Sequence, residues 1–160
     1  MRKKTGSIQQ QSLESEIKAE KNVEVSVALC TFNGEHYLRE QLDSILNQTY
    51  DNITEIVCVD DNSTDKTWSI LKEYSEQYKQ FRIFRNETNE GYIQNFEKAV
   101  SLTSRNYIAI SDQDDLWYPT KISKLMEAIG ESLMVYSDNQ YIDGNFRIID
   151  VGNDGLDGIR

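Results

Sequence analysis

Apolar residues along the chain alternate between two periods. Residues 1–22 are polar and carry no strong apolar stripe. Ser12 to Lys21 can form a short surface helix, and the segment reads as a leader outside the core. From Val23 the texture changes. Val23 to Cys30 is β-branched and apolar, as in a strand buried on both faces. Thr31-Phe32-Asn33-Gly34 makes a turn. From Glu35 to Gln48, Tyr37, Leu38, Gln41, Leu42, Ile45 and Leu46 recur at helical spacing and predict an amphipathic helix. The cycle then repeats. Glu55 to Val59 predicts a second strand, Asp60 to Thr64 a loop, and Asp65 to Tyr78 a helix with Trp68, Leu71, Tyr74 and Tyr78 on one side. Phe81 to Phe84 predicts a third strand, Asn86 to Gly91 a polar loop, and Tyr92 to Leu102 a helix. Tyr107 to Ile110 predicts a fourth strand that runs into Ser111-Asp112-Gln113-Asp114-Asp115. Pro119 suits the first turn of a helix reaching about Ile129. Leu133 to Tyr136 predicts a fifth strand, and Tyr141 to Ile149 a hairpin around Asp143-Gly144-Asn145. Val151 to Arg160, rich in Gly and Asp, reads as a frayed tail.

Strand and helix alternating at this spacing predict an α/β fold with a mostly parallel sheet flanked by helices and right-handed crossovers. Ligands of such sheets bind outside the carboxyl ends of the strands. The loops after the first, second and fourth strands are therefore where chemistry is expected. A length of 160 residues suits one domain, here 23–150, and 38% hydrophobic against 28% charged residues excludes wholesale disorder. The net charge of −10 disfavours binding to a nucleic-acid backbone. An anionic ligand would need a metal ion or helix N-termini to supply positive charge. No apolar run approaches the roughly 20 residues that span a bilayer. No apolar segment follows Met1-Arg2-Lys3-Lys4, so no secretory signal is visible. With two free cysteines, Cys30 and Cys58, this points to the cytoplasm. Those two cysteines make no disulfide framework, and with a single histidine they cannot close a zinc site.

Two of the three loops carry carboxylate clusters: Asp60-Asp61 and Asp112-Gln113-Asp114-Asp115. Neighbouring like charges repel unless a cation or hydrogen-bond donors offset them. Hard oxygen ligands on one rim suit Mg²⁺ or Mn²⁺, which bind one or two carboxylates together with substrate phosphates. The plain alternative is turn and cap chemistry, since Asp, Asn, Ser and Thr favour turns and helix N-caps. Two clusters on two strand ends favour the metal. Neither cluster is a calcium loop, because the sixth positions are Asp65 and Trp117 where glycine is needed. There is no P-loop, no G-x-G-x-x-G fingerprint and no nucleophile elbow. His36 reads as a surface residue, and Cys30 and Cys58 as buried thiols acting as small hydrophobes. Trp68, Tyr74 and Tyr78 read as packing. Trp117 and Tyr118 either pack under the acidic loop or line a ligand cleft.

Four segments resemble family 2 glycosyltransferases of the GT-A fold. They are Val25 to Gly34 with Tyr37-Leu38 and Ser44 to Tyr50, Glu55 to Asp65, Asn89-Glu90-Gly91 with Asn95, and Ser111 to Trp117. The last resembles the family's DxD metal motif in the form common among bacterial cell-surface polysaccharide and rhamnosyl-type transferases. The resemblance covers about Val23 to Asp150. It implies a GT-A, Rossmann-like domain that binds a UDP- or dTDP-linked sugar and passes it, with inversion, to a hydroxyl of a glycan or lipid-linked acceptor. Thr31, Phe32 and Asn33 would line the base and ribose pocket. Asp61 would meet the nucleobase edge, Asp60 would shape the loop, and Gln113 would complete the nucleotide-sugar set. Asp112 would lie near the ribose or metal, and Asp114 would be the principal metal ligand. Inverting transfer needs a general base. Asp138, Asp143 and Asp150 follow the DxD segment, and none lies in a stretch that matches the family's base. The chain is therefore expected to stop after the donor-binding half, binding donor and metal without completing transfer alone. Peripheral association with the inner face of a membrane fits such an acceptor. A catalytically silent nucleotide-sugar-binding or interaction module is the rival reading. A phospho-acceptor receiver is disfavoured, since it needs a strand-end Lys that is missing.

Overall fold

A computed structural model describes residues 23–144 and 147–149. Four strands and four helices alternate along it: β1 (Val25–Thr31), α1 (Leu38–Leu46), β2 (Ile53–Asp60), α2 (Thr67–Gln77), β3 (Phe81–Arg85), α3 (Tyr92–Ser101), β4 (Tyr107–Ser111) and α4 (Lys121–Ile129). The strands form one parallel sheet in the order β3-β2-β1-β4. The expected α/β class with a parallel sheet is what the structure has. The chain adds β2 and β3 on one side of β1 and then crosses to place β4 on the other side. The reversal falls between β1 and β4, and the carboxyl ends at such a switch point are where open α/β sheets bind ligands.

The buried middle of the sheet explains why β1 and β2 are nearly continuous apolar runs. Ala28, Cys30, Val57 and Val59 pack against Ala99 on α3, with Phe84, Phe96, Val100 and Leu102 around them. Strand alternation turns Val27, Leu29, Ile56 and Cys58 to the opposite face, and all four are buried. Leu38, Leu42 and Ile45 are buried on α1, as are Ile70, Leu71 and Tyr74 on α2. Helix α4 gives way at Gly130, whose φ of 47° lies in the left-handed region that glycine enters at no steric cost.

The described chain divides into two compact units between Ser123 and Lys124. In the second unit the expected fifth strand does not form. Leu133 to Tyr136 has no strand assignment, and Leu133, Met134 and Tyr136 are exposed. An apolar run becomes a strand only when a neighbouring edge takes up its backbone groups, and this run pairs with none among the described residues. The expected hairpin is reduced to one antiparallel bridge, Ile142 with Ile148, flanked by hydrogen bonds from Asp143 N to Arg147 O and from Ile149 N to Tyr141 O, both 2.9 Å. The leader 1–22, Asn145, Asp150 and the tail 151–160 lie outside the described residues. Among the described residues, no helix is long and apolar enough to cross a membrane.

Candidate functional site

Three loops meet at the carboxyl ends of β1, β2 and β4, and side chains lace them together. The turn after β1 is joined to the loop after β2 by reciprocal caps. Asn33 takes a φ of 49° and Asn62 a φ of 62°, a conformation that asparagine tolerates better than most residues. Asn33 N donates to Ser63 Oγ (2.9 Å), and Asn33 Oδ1 accepts from Thr64 N (2.9 Å). Gly34 N donates to Thr67 Oγ1 (2.8 Å), Glu35 N to Asp65 Oδ2 (3.1 Å), and Lys66 N to Glu35 Oε2 (2.9 Å). The last of these satisfies an otherwise orphaned amide at the start of α2.

Asp60 and Asp61, adjacent in sequence, do different work. Asp60 is fully buried. Its Oδ1 accepts from Thr31 Oγ1 and Ser63 Oγ, and its Oδ2 from Ser63 N and Arg85 Nε. Four donors fill a carboxylate's capacity. Asp60 and Thr31 tie β1, β2 and β3 together, and both are buried. Asp61 is also buried. Its Oδ1 accepts from Asn86 Nδ2 (2.7 Å) and Glu90 N (2.8 Å), and its Oδ2 from Gly91 N (2.9 Å). Among the described residues Oδ2 has this one donor, and a carboxylate oxygen can accept two. Behind it, Asn86 Nδ2 also donates to Asn95 Oδ1, Asn95 Nδ2 donates to Val59 O, and Lys98 Nζ donates to Asn86 Oδ1. Asn86, Asn95 and Lys98 thus orient Asp61. Of these, sequence reasoning singled out only Asn95, because a polar residue becomes a buried ligand of another only through the fold.

The acidic loop after β4 is the exposed part of the site. Asp112, Asp114 and Asp115 face solvent, and Gln113 between them is half-buried. Partial burial, then the charges of Asp115 and Asp114, pushes the Asp112 carboxyl above its ordinary range. A positive charge does act on this loop, since the Lys121 ammonium interacts with Asp115. Burial, then Asp112 and Asp61, raises the Cys30 thiol to about 12, and its side chain lies in the core cluster with Ala28, Val57, Val59 and Ala99. Trp117 packs under the loop: it is 3% exposed, and its N donates to Ser44 Oγ (3.1 Å). Lys121 Nζ lies 4.6 Å from the centre of its ring. Ser44 Oγ bonds Gln41, whose Nε2 donates to Ser111 Oγ. Tyr118 and His36 are exposed. Phe32, 44% exposed, stands beside Asn33 in the turn after β1.

No group of three or more His, Cys, Asp or Glu among the described residues is arranged to hold a metal by itself. The donors that do gather on the acidic loop are hard, anionic and mutually repulsive. Such a set fits a Mg²⁺ or Mn²⁺ ion that takes one or two carboxylates and completes its shell with water and phosphate oxygens.

Comparison with known proteins gives a consistent result. The family model described as Glycosyl transferase family 2 matches residues 26–151. An uncharacterized glycosyltransferase of Haemophilus influenzae is 35% identical over 119 residues, which is 74% of this chain and 36% of that protein. The Escherichia coli UDP-Glc:alpha-D-GlcNAc-diphosphoundecaprenol beta-1,3-glucosyltransferase WfaP is 32% identical over 79% of this chain and 50% of its own length. The chain thus spans a third to a half of these relatives. Among solved structures, S. aureus TarS in complex with UDP superposes with a TM-score of 0.61 at 28% identity, covering 68% of this chain and 32% of TarS. The Pyrobaculum calidifontis mannosyltransferase PcManGT, solved with GDP-Man and Mn²⁺, shares the fold with a TM-score of 0.60 at 24% identity, over 67% of this chain and 32% of its own.

Proposed function

The chain belongs to glycosyl transferase family 2, and from that premise we propose that it is the donor-binding part of a glycosyltransferase. It takes a nucleotide-diphosphate sugar, UDP- or dTDP-linked, with Mg²⁺ or Mn²⁺, for inverting transfer to a hydroxyl of a glycan or lipid-linked acceptor. The observation that carries this reading is the acidic loop 112–115 at the switch point of the sheet, which exposes three carboxylates beside the β1 turn. Asp114 and Asp112 would hold the cation, which supplies a Lewis acid for the charge on the departing diphosphate. Phe32 offers an exposed ring to the base, with Asn33 beside it, and the second acceptor position of Asp61 Oδ2 suits the N–H of a pyrimidine ring. The UDP and UDP-GlcNAc complexes of TarS support a uridine nucleotide. The diphosphoundecaprenol in the name of WfaP supports a lipid-linked acceptor, and with it work at the inner face of a membrane from the cytoplasm. A carboxylate base must take the acceptor's proton.

The test is calorimetric titration of UDP and dTDP into the chain, with and without Mn²⁺, beside Asp114→Asn. Metal-dependent binding that the variant loses supports the reading. A folded wild-type chain that binds neither nucleotide overturns it and leaves an interaction module.

A further inference from the structure

We propose that Gln113 is a positioning residue. Its carboxamide, seated over Gly34, ties the β1 turn to the acidic loop and so sets where the carboxylates of Asp112 and Asp114 stand. The inference rests on the donor-site reading above and assigns Gln113 a role other than touching the ligand.

Two hydrogen bonds carry it. Phe32 N donates to Gln113 Oε1 (2.8 Å), and Gln113 Nε2 donates back to Phe32 O (3.0 Å). The side chain thereby occupies both backbone groups of one residue, as a neighbouring strand would. The backbone ladder between β1 and β4 ends at Leu29 with Ser111. Beyond that point the two chains diverge into their loops, and the Gln113 side chain continues the pairing. An acidic loop whose carboxylates repel one another needs such a tether to stay in one arrangement. Both ends of the amide are spent on Phe32, and only glutamine's length and its paired donor and acceptor satisfy both groups.

Gly34 is the counterpart. A Cβ there would lie 2.2 Å from Gln113 Oε1 and 2.5 Å from Gln113 Cδ. Its φ lies outside the positive range, so glycine is not required by backbone conformation. The missing methyl is instead the space in which the carboxamide sits. Gly34→Ala therefore evicts the Gln113 side chain from its seat while leaving the sequence of the acidic loop unchanged. Because the obstructing atoms are the far end of a flexible side chain, the eviction costs the fold little.

The experiment is a double-mutant cycle on the full chain: wild type, Gly34→Ala, Gln113→Ala and the pair. It reads UDP affinity with and without Mn²⁺, the melting temperature, and amide hydrogen exchange at Phe32. These two hydrogen bonds lie within the protein, so their loss lowers the melting temperature by a few degrees and reaches affinity only through the loosened acidic loop. Each single variant is expected to weaken Mn²⁺-dependent binding several-fold, to change metal-free binding less, and to expose the Phe32 amide to exchange. The pair is expected to be no worse than either single, because both changes remove one clamp. Variants that bind like wild type, losses that multiply in the pair, or equal losses with and without Mn²⁺ overturn the clamp. A wild-type chain that binds no nucleotide overturns the donor reading and this inference with it, an outcome distinct from binding that the variants share.

Discussion

At the scale of single residues, the site separates side chains that hold the fold from those that are free to meet a ligand. Cys30 shows the separation in a measurable way. Its thiol is raised to about 12, first by burial and then by Asp112 and Asp61. Burial raises Cys58 as well. A thiol held that high carries little thiolate at pH 8, where an ordinary thiol carries an appreciable fraction. Iodoacetamide at pH 8 is therefore expected to leave both cysteines of the native chain unmodified while the urea-unfolded chain takes two labels, read by intact mass. Rapid single labelling of the native chain would show that Cys30 is open to solvent. The sequence already pointed to both thiols as buried, because each falls in a β-branched run. The residue types alone do not distinguish Asp60 from Asp61, which only the family resemblance cast as loop-shaping and base-contacting. Both are aspartates at one strand end, and only the fold gives the first four donors and the second three. Nor could the sequence show that the Gln113 amide lies against a backbone 81 residues away.

At the scale of elements, β2 is held at its two ends by different devices, and the end opposite the site carries a pH signature. Glu55 pairs in register with Ser26 on β1. It is buried, and burial alone would push its carboxyl up. Hydrogen bonds from Ser26 Oγ, Ser104 N, Arg82 and Ser104 Oγ outweigh that and hold it near 2, against an ordinary 4.5. Between those values the unfolded chain binds the proton and the folded chain does not. Stability from this group is thus complete above pH 4.5 and is lost as pH falls toward 2. Glu55→Gln keeps the shape and removes the charge. It is expected to cost about 1–3 kcal/mol at pH 7, where charged hydrogen bonds are lost. It should also flatten the fall of the urea midpoint between pH 4.5 and pH 3 relative to wild type, followed by circular dichroism. A variant as acid-sensitive as wild type would mean that other carboxylates carry the slope. The elements themselves were legible because β1 and β2 are buried on both faces, and α1 to α4 keep a helical stripe. The failure at Leu133 to Tyr136 has the same root. An apolar run states that burial is available but does not name the edge that will supply it.

At the scale of the whole molecule, a net charge of −10 acts on the two expected ligands with opposite sign. It attracts a divalent cation and repels a nucleotide diphosphate, so the cation must do more here than it would on a neutral protein. The acidic loop concentrates that field, since Asp112, Asp114 and Asp115 stand exposed together. Salt separates the two effects, because the screening length shrinks from about 30 Å at 0.01 M to about 10 Å at 0.1 M. Raising NaCl from about 0.01 M to about 0.2 M is expected to weaken Mn²⁺ binding several-fold, read from the free-ion resonance signal. Over the same range, UDP titrated without metal is expected to bind no worse, and better if repulsion dominates. Asp114→Asn should reduce the salt dependence of Mn²⁺ binding as well as its strength, because it removes one of the charges that creates the field at the ion. A metal affinity indifferent to salt would place the ion away from the exposed acidic loop. Metal-free UDP binding that falls steeply with salt would instead require a basic surface for the diphosphate, and the role of the cation as its positive partner would then fail.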